Sequence, residues 1–306
     1  MKKKAATQTP SIAQTPRLRA DMTPQEAAQT VVSETVRHLQ ANVPGVLESD
    51  DMEFVHQARV ALRRLRSTNK AFTGIITDEE WQSVDEEIEW LAKLLGDARD
   101  LDVFLMETLP PIEQALMLDA DFGPLKQAML KRRVLCRKKI RAALTSVRYG
   151  ALLLRLLAWT NEETQQEKFH RFKLRNFARQ SMNKRWRQVN RPAQKWRSLN
   201  REQRHDLRKK AKTLRYAVEF FSALYPPKKV ERYVNKLQSL QQILGVLNDG
   251  VAAQWLMAEF IKKDASLEPL GKLVFGWLAC EATRSETYLQ HAITQWQKAK
   301  VFWRDK

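Results

Sequence analysis

Two segments of the chain each place a histidine three residues before a row of basic side chains. They read VHQARVALRRLRS, from Val55, and RHDLRKKAKTLRY, from Arg204. On a helix, with about 100° per residue, the histidine and the cations at i+3, i+7 and i+10 project within an arc of about 80°. Such a row favours anion binding, because one polyanion can contact several neighbouring cations. The predicted anion-binding residues are His56, Arg59, Arg63, Arg66 and Lys70 in the first segment and His205, Arg208, Lys212, Arg215 and Tyr216 in the second.

The alternative interpretation of both rows is a solvated helix face without a ligand. Cations stacked at this spacing destabilise a helix by about 0.2–0.5 kcal/mol per pair, and a solvated face usually relieves the repulsion with interleaved acids. Only Glu219, at the place that corresponds to Lys70, interrupts the second row, and the first row contains no acid. Because both rows are almost free of acidic residues, we favour anion binding over a solvated face.

A third basic row follows Pro124, in a stretch that predicts one long helix to about Thr160. Its cations fall within another arc of about 80°, and Arg predominates, which favours bidentate contacts with phosphate oxygens. Two further arginines, one turn apart, extend the row on the next predicted helix, from Glu167 to Val189. Of these cations, the predicted anion-binding residues are Arg133, Arg137, Arg141 and Arg179.

Metal binding is the other chemistry that the histidines suggest, with Asp100 and Asp249 as further ligands. A site rich in Arg repels a divalent cation, however, and neither histidine has a second ligand at i+3 or i+4. We therefore predict no metal and no cofactor, and expect each histidine to orient a neighbour and add a donor or partial positive charge. The two aspartates are expected to cap a helix or anchor an Arg. No motif for catalysis occurs, so no catalytic residue and no enzyme is predicted.

The charge of the whole chain supports a polyanionic partner. Its 306 residues carry a net charge of +18 with a pI near 10.0, and 28 Lys/Arg against 5 Asp/Glu lie between residues 126 and 215. Nucleic acid, anionic lipid and inorganic polyphosphate are all candidates at this level. The aromatic residues between Phe172 and Trp196 are interleaved with arginines, as in single-strand binders, but recur at the spacing of a buried helix face. No apolar window approaches 18 residues, so we expect no membrane association.

Composition and repetition predict the organisation of the fold. Only 9 residues are Gly and strong helix formers dominate, so the chain is predicted to be all-α. Residues 1–20 lack the apolar core of a signal peptide and are predicted to be a disordered basic tail, while two isolated cysteines fit a reducing cytosol. A constant offset of 149 residues relates the two histidine segments and also Asp100 to Asp249. It predicts an internal duplication, with halves of about 21–165 and 166–306 related by a pseudo-two-fold axis.

Four stretches together resemble the CHAD domain, the conserved-histidine α-helical domain: VHQARVALRRLRSTNKAF, LLGDARDLDVF, HDLRKKAKTLRYAVEFF and LQQILGVLNDG. The resemblance, from about residue 25 to the C-terminus, implies two four-helix-bundle halves around a basic central channel that binds inorganic polyphosphate. It also implies a cytoplasmic protein associated with polyphosphate granules, with polyphosphate-metabolising enzymes as candidate partners. We expect no CYTH phosphohydrolase domain, to which members are often fused, and hence no triphosphatase activity. The basic positions of the family correspond here to Arg59, Arg63, Arg66, Arg208, Lys212 and Arg215.

The prediction from the sequence is therefore a non-enzymatic module that binds inorganic polyphosphate, with nucleic acid only as a non-specific competitor. The cationic arcs are poor in aromatic residues, which suits a polymer that has no base to stack. The alternative is a general polyanion-binding or single-stranded nucleic-acid-binding protein.

Overall fold

The chain is all-helical in the computed structural model, which describes residues 9–76, 79–115, 120–162 and 173–304. Those residues contain ten α-helices and no β-strand, which confirms the all-α prediction. A π-helical turn, Phe104–Thr108, joins the third helix to the fourth. The helices are α1 (Pro24–Glu48), α2 (Met52–Ala71), α3 (Glu79–Val103), α4 (Leu109–Ala115), α5 (Gly123–Leu144), α6 (Val147–Thr160), α7 (Leu174–Gln194), α8 (Arg201–Phe220), α9 (Pro227–Lys263) and α10 (Glu268–Gln297).

The two helices that carry the histidines, α2 and α8, have the same length of 20 residues. Their first residues lie 149 positions apart, as do their last, which is the offset found in the sequence. Asp51 caps α2 by accepting a hydrogen bond from the backbone N–H of Glu53. Asn200 and Gln203 cap α8 reciprocally, each side chain accepting from the backbone N–H of the other. Local capping by these side chains thus fixes where both helices start.

Glycine often follows the end of a helix, but two glycines of this chain lie within helices. Gly96 lies inside α3 and Gly245 inside α9, so the residues on either side of Gly245 form one continuous helix. A single glycine costs a helix about 1 kcal/mol. Each glycine follows a buried leucine, Leu95 in α3 and Leu244 in α9. The packing of these leucines in the core stabilises each helix at the glycine. Tertiary packing therefore outweighs the local preference.

The long helix predicted after Pro124 is two helices, α5 and α6. The break falls at Ser146, whose backbone is extended and whose hydroxyl accepts a hydrogen bond from the backbone N–H of Tyr149. This is an ordinary N-cap, and it directs the chain into a new helix. The basic residues on either side of Ser146 consequently do not share one helical face. Of the next predicted helix, residues 167–172 lie outside the described residues.

The chain forms two compact units, neither of which is continuous in sequence. Unit 1 comprises Met1–Arg99, Cys136–Ala178 and Glu219–Leu224, and unit 2 comprises Asp100–Leu135, Arg179–Val218 and Tyr225–Lys306. In unit 1, α1 packs on α2 and α6. In unit 2, α9 packs on α10 along much of its length. Each unit therefore positions one histidine helix on its own core.

Aromatic clusters occupy the cores of both units. The ring of Phe72 in unit 1 lies 5.7 Å from that of Phe177 and 5.1 Å from that of Phe221, centroid to centroid. In unit 2 the hydroxyl of Tyr233 accepts a hydrogen bond from Nε1 of Trp296 at 3.0 Å. Phe72 and Phe221 are fully buried and Phe177 is half-buried against them, so these rings contribute to the hydrophobic stabilisation of unit 1.

The segment before α1 packs on unit 1 from residue 9 onward. The side chain of Asn42 accepts a hydrogen bond from the backbone N–H of Ser11 and donates one to its carbonyl, both at 3.0 Å. Nε2 of His38 donates to the same carbonyl at 2.9 Å, and Leu18 is buried. These contacts differ from the disorder predicted to residue 20. Composition does not reveal them, because the partners lie some 30 residues away on α1. Residues 1–8 lie outside the described residues.

Candidate anion-binding site

The predicted row on α2 lies along one side of the helix, opposite its buried apolar residues. Ala58, Ala61, Leu62 and Leu65 are each 0% exposed. The cations and the histidine on the other side are half-buried, apart from Lys70, which is exposed. The division of α2 into a core face and a basic face is therefore confirmed. Because the stems of the arginines lie against the protein, their positions are restricted before any ligand binds.

Acids on α3 approach one end of this row, at Arg66. Arg66 lies 3.3 Å from Oε2 of Glu89 and 3.7 Å from Oδ1 of Asp85, so its charge is partly balanced. Within the described residues, no carboxylate forms an ion pair with Arg63, and its buried Nε has no hydrogen-bond acceptor. The sequence suggests that the acids of α3 form a solvated face. That interpretation misses Asp85 and Glu89, because only the packing of α3 beside α2 brings them to the row.

The ring of His56 is half-buried and lies near several arginines. Burial lowers the pKa of His56 to about 4, and the next contribution in size is the positive charge of Arg99. Glu53 opposes the shift, while Arg63 and Arg59 add to it. With this pKa His56 is neutral at pH 7, so of the two roles predicted for it, donor or partial positive charge, the pKa favours that of a donor. Arg99, which the sequence did not single out, contributes to the field at this position.

The second row, on α8, is held by polar side chains of α9. His205 Nδ1 donates a hydrogen bond to Oδ1 of Asn248 at 2.5 Å, which orients the ring. Nη2 of Arg208 donates to Oδ1 of Asp249 at 3.2 Å. Asp249 thus anchors an Arg of the row, one of the two roles predicted for it, and does not cap a helix. Lys212 and Arg215, farther along α8, are half-buried.

Tyr216 differs from its predicted role as a phosphate donor. The residue is only 2% exposed, although its position on α8 falls within the basic arc. Its ring instead lies beneath the guanidinium of Arg215, whose Cζ is 5.0 Å from the ring centroid. A cation over an aromatic face is held in place electrostatically. Tyr216 therefore supports Arg215 and is not accessible to a phosphate in this structure.

The cations predicted on α5 and α7 do not form a uniform anion-binding surface. In unit 2, Nε of Arg133 lies 2.6 Å from Oδ1 of the buried Asp102, which compensates its charge. Arg141 in unit 1 and Arg179 in unit 2 are exposed. The arc that these residues share in the sequence is therefore a mixture of compensated and solvated charges. Of the four predicted residues, only Arg141 and Arg179 are exposed.

Arg137 has a structural role, which corrects its assignment as an anion-binding residue. It is 7% exposed, and its Nη1 donates to the carbonyl of Ser49 at 2.7 Å while Nη2 donates to that of Asp50 at 2.9 Å. These carbonyls follow the C-terminus of α1, where backbone acceptors lack partners within the helix. The guanidinium is occupied in closing the turn between α1 and α2.

Replacing Arg137 with Ala is expected to lower the free energy of unfolding by about 2–3 kcal/mol, because the carbonyls of Ser49 and Asp50 lose the charged donors of a buried guanidinium. Urea denaturation followed by circular dichroism measures this. The matched control is Arg141→Ala, one turn along α5 with the same loss of charge, which should change stability by less than about 0.5 kcal/mol. Unchanged stability in Arg137→Ala, together with weaker anion binding, would return Arg137 to the binding residues.

Two further observations concern alternative ligands. Among the described residues, no group of three or more His, Cys, Asp or Glu side chains is arranged to hold a metal ion. No helix in this part of the chain is both long and apolar enough to cross a membrane. Among the described residues, α2 and α8 carry basic surfaces whose spacing, exposure and positive charge match the sequence prediction.

The geometry of α2 and α8 can be compared with known proteins. The CHAD domain family matches residues 30–258, and no CYTH domain is detected. The crystal structure of the CHAD domain from the plant Ricinus communis is similar, with a TM-score of 0.83 and 29% sequence identity. That similarity covers 95% of this chain and 98% of the plant domain.

A more distant likeness concerns the fold alone. PptA from Streptomyces chartreusis has a TM-score of 0.67 and 17% identity, over 90% of this chain and 99% of that one. No curated protein matches the sequence. The family match spans most of the chain, including both histidine helices, and so confirms the resemblance that their motifs suggested. The chain therefore belongs to the CHAD domain family.

Proposed function

We propose that the protein binds inorganic polyphosphate through the basic rows of α2 and α8 and has no catalytic activity. One observation carries the proposal: two helices of equal length, offset by 149 residues, each carry a histidine followed by cations at i+3, i+7 and i+10. Membership of the CHAD family supports it. Two matched rows are difficult to explain as solvated helix faces, because each keeps several like charges adjacent.

The contacts around the rows favour phosphate as the ligand group. Arg63 has a positive charge that no carboxylate among the described residues balances. Arg208 is oriented by Asp249, so less side-chain entropy is lost when it binds a second acceptor. A phosphate chain offers an anionic oxygen at every unit and would exchange its condensed counterions for these cations. Inorganic polyphosphate needs no stacking surface, and the one aromatic residue of the basic arcs, Tyr216, is buried.

The proposal includes an internal duplication in which both rows line one basic channel. The equal bounds of α2 and α8 under the 149-residue offset support the duplication. A single polymer lying along both rows would offset the repulsion in each. In the cell, such binding would associate the protein with polyphosphate granules in the cytoplasm, with polyphosphate-metabolising enzymes as candidate partners.

The test is direct binding of long-chain polyphosphate, with single-stranded DNA and heparin as competitors matched for charge. We expect polyphosphate to bind more tightly than either competitor, and the recovered polymer to keep its length in the presence of Mg²⁺. Isothermal titration and gel analysis of the polymer measure both. Equal affinity for DNA and polyphosphate would establish general polyanion binding instead, and shortening of the polymer would contradict the absence of catalysis.

Polyphosphate binding is expected to take up a proton at His56. A polyanion beside the ring raises its pKa from about 4, so the complex holds more protons than the free protein between that value and the pKa of the complex. The affinity should therefore rise as pH falls from 7 to 5, by up to about tenfold per pH unit. Titration calorimetry in two buffers of different ionisation enthalpy measures the uptake. In His56→Gln the uptake should disappear; its persistence would assign the proton to another group.

A further inference from the structure

One tryptophan of unit 2, Trp255, differs from the others in its exposure to solvent. All nine tryptophans lie in the described part of the chain, and Trp255 is the one among them that falls in the exposed class, at 66% of its surface. It stands on α9, two turns beyond Asn248, the residue that orients His205. The indole of Trp255 therefore presents a large apolar surface to solvent.

Trp255 is paired with a cation that continues the second row. The Cζ atom of Arg201 lies 5.7 Å from the centroid of the Trp255 ring. Arg201 precedes His205 by four residues, which places it within the same arc of α8 as His205 and Arg208. Because α8 rises about 1.5 Å per residue, Arg201 extends the row by about 6 Å toward Trp255. The basic row of α8 thus ends at an aromatic ring.

A shallow cavity of about 270 Å³ lies at this end of the row. Arg201, Gln254, Trp255, Ala258 and Phe275 line it. Its walls offer two aromatic rings, a guanidinium and a single neutral amide. This combination suits a flat ring with polar groups along its edge. Such a ring can stack on the indole face, and the amide of Gln254 can both donate hydrogen bonds to its edge and accept them from it.

We propose that the Trp255 cavity binds a nucleobase whose phosphates continue along Arg201, His205 and Arg208. The ligand class is a nucleotide, and the inference rests on the proposed function because it uses the same basic row for the phosphates. Continuity with that row favours a nucleotide over a docked protein segment, since the exposed ring is contiguous with cations on one side. A free nucleoside triphosphate and a nucleotide of a single strand share this chemistry.

The arrangement is specific to the second histidine helix. At the offset of 149 residues, Met52 stands in place of Arg201 and Met106 in place of Trp255. Neither methionine offers a charge or a planar ring, so the first row has no equivalent platform. The two rows, although similar in their phosphate-binding residues, therefore differ in whether a base can accompany the phosphates.

The experiment compares ATP with inorganic tripolyphosphate, which carries three linked phosphates but neither the base nor the ribose. In the full chain, ATP should bind about tenfold more tightly than tripolyphosphate. Trp255→Ala should remove that difference by weakening ATP and leaving tripolyphosphate unchanged. Tyr288→Ala, which removes another exposed aromatic side chain of unit 2, is the matched control and should affect neither ligand.

Each outcome separates the two proposals. If tripolyphosphate binds and Trp255→Ala leaves the affinities for ATP and for a single-stranded oligonucleotide both intact, the base platform is wrong while phosphate binding stands. If neither ligand binds the unmodified chain, the proposed function itself fails. A single-stranded oligonucleotide is tested in parallel. A loss of affinity with Trp255→Ala for ATP, for the oligonucleotide or for both supports the platform and identifies which kind of nucleotide binds there. Quenching of fluorescence by ATP that is lost in Trp255→Phe would support stacking, and quenching that persists would contradict it.

Discussion

Replacing Arg59, Arg63 and Arg66 together with Ala is expected to lower the affinity for long-chain polyphosphate by about 100- to 1,000-fold. Each arginine supplies a charge-assisted hydrogen bond worth about 1.5–3 kcal/mol, and part of that gain is lost to ordering of the polymer. The fold should persist, because Ala is a better helix former and the ion pairs of Arg66 are partly exposed. Titration calorimetry measures the affinity and circular dichroism the helix content.

The control for this variant removes the same charge elsewhere. Arg232, Lys262 and Lys263 on α9 are exposed and lie outside both rows, so their replacement with Ala changes the net charge equally. That variant should lose less than about tenfold, through the long-range field alone. The triple change Arg208, Lys212 and Arg215 to Ala should resemble the α2 variant. Equal effects of the row and control variants would show that total charge, and not the histidine helices, determines binding.

Raising the salt concentration from 50 to 200 mM is expected to weaken polyphosphate binding about 10³- to 10⁵-fold. This magnitude follows, by analogy with DNA, from neutralising about 6–10 phosphates and releasing their counterions. The logarithm of the binding constant should fall linearly with that of the salt concentration. Fluorescence anisotropy with labelled polyphosphate at five or more salt concentrations gives the slope.

The slope also measures how many phosphate contacts each row contributes. Removing three arginines from α2 should make it shallower by about 2–3, because each lost phosphate contact lowers the number of released ions by about one. The control variant on α9 should leave the slope near its original value. A steep slope that the row variant leaves unchanged would place the polymer on a different surface. A slope near zero would exclude ionic contacts as the main source of affinity.

Much of the fold follows from periodic patterns that are local in the chain. The apolar face of α2, from Ala58 to Leu65, can be read from spacing alone, because helix geometry determines which side chains share a face. The caps at Asp51 and Asn200 are likewise local, since their partners lie two or three residues away. The family resemblance rests on short motifs of the same kind, so it too follows from residue types at close spacing.

The role of an individual cation in the basic arcs depends on neighbours distant in sequence. Arg137 and Arg141 are one turn apart and alike in the sequence, yet Arg137 is buried against carbonyls 87 and 88 residues away while Arg141 is exposed. Arg133 finds its acid, Asp102, on another helix. Helical spacing predicts direction but not what lies in that direction.

By itself the amino-acid sequence determined the helical class, the family, the repeated histidine rows and the excess of positive charge, because each depends on residue type and short-range spacing. Only the tertiary structure decided that Tyr216 is buried, that acids of α3 reach Arg66, that His56 is neutral at pH 7, and that Trp255 stands at the end of the α8 row. Burial and ion pairing depend on how helices pack against one another, so they cannot be predicted from the residue spacing within one helix.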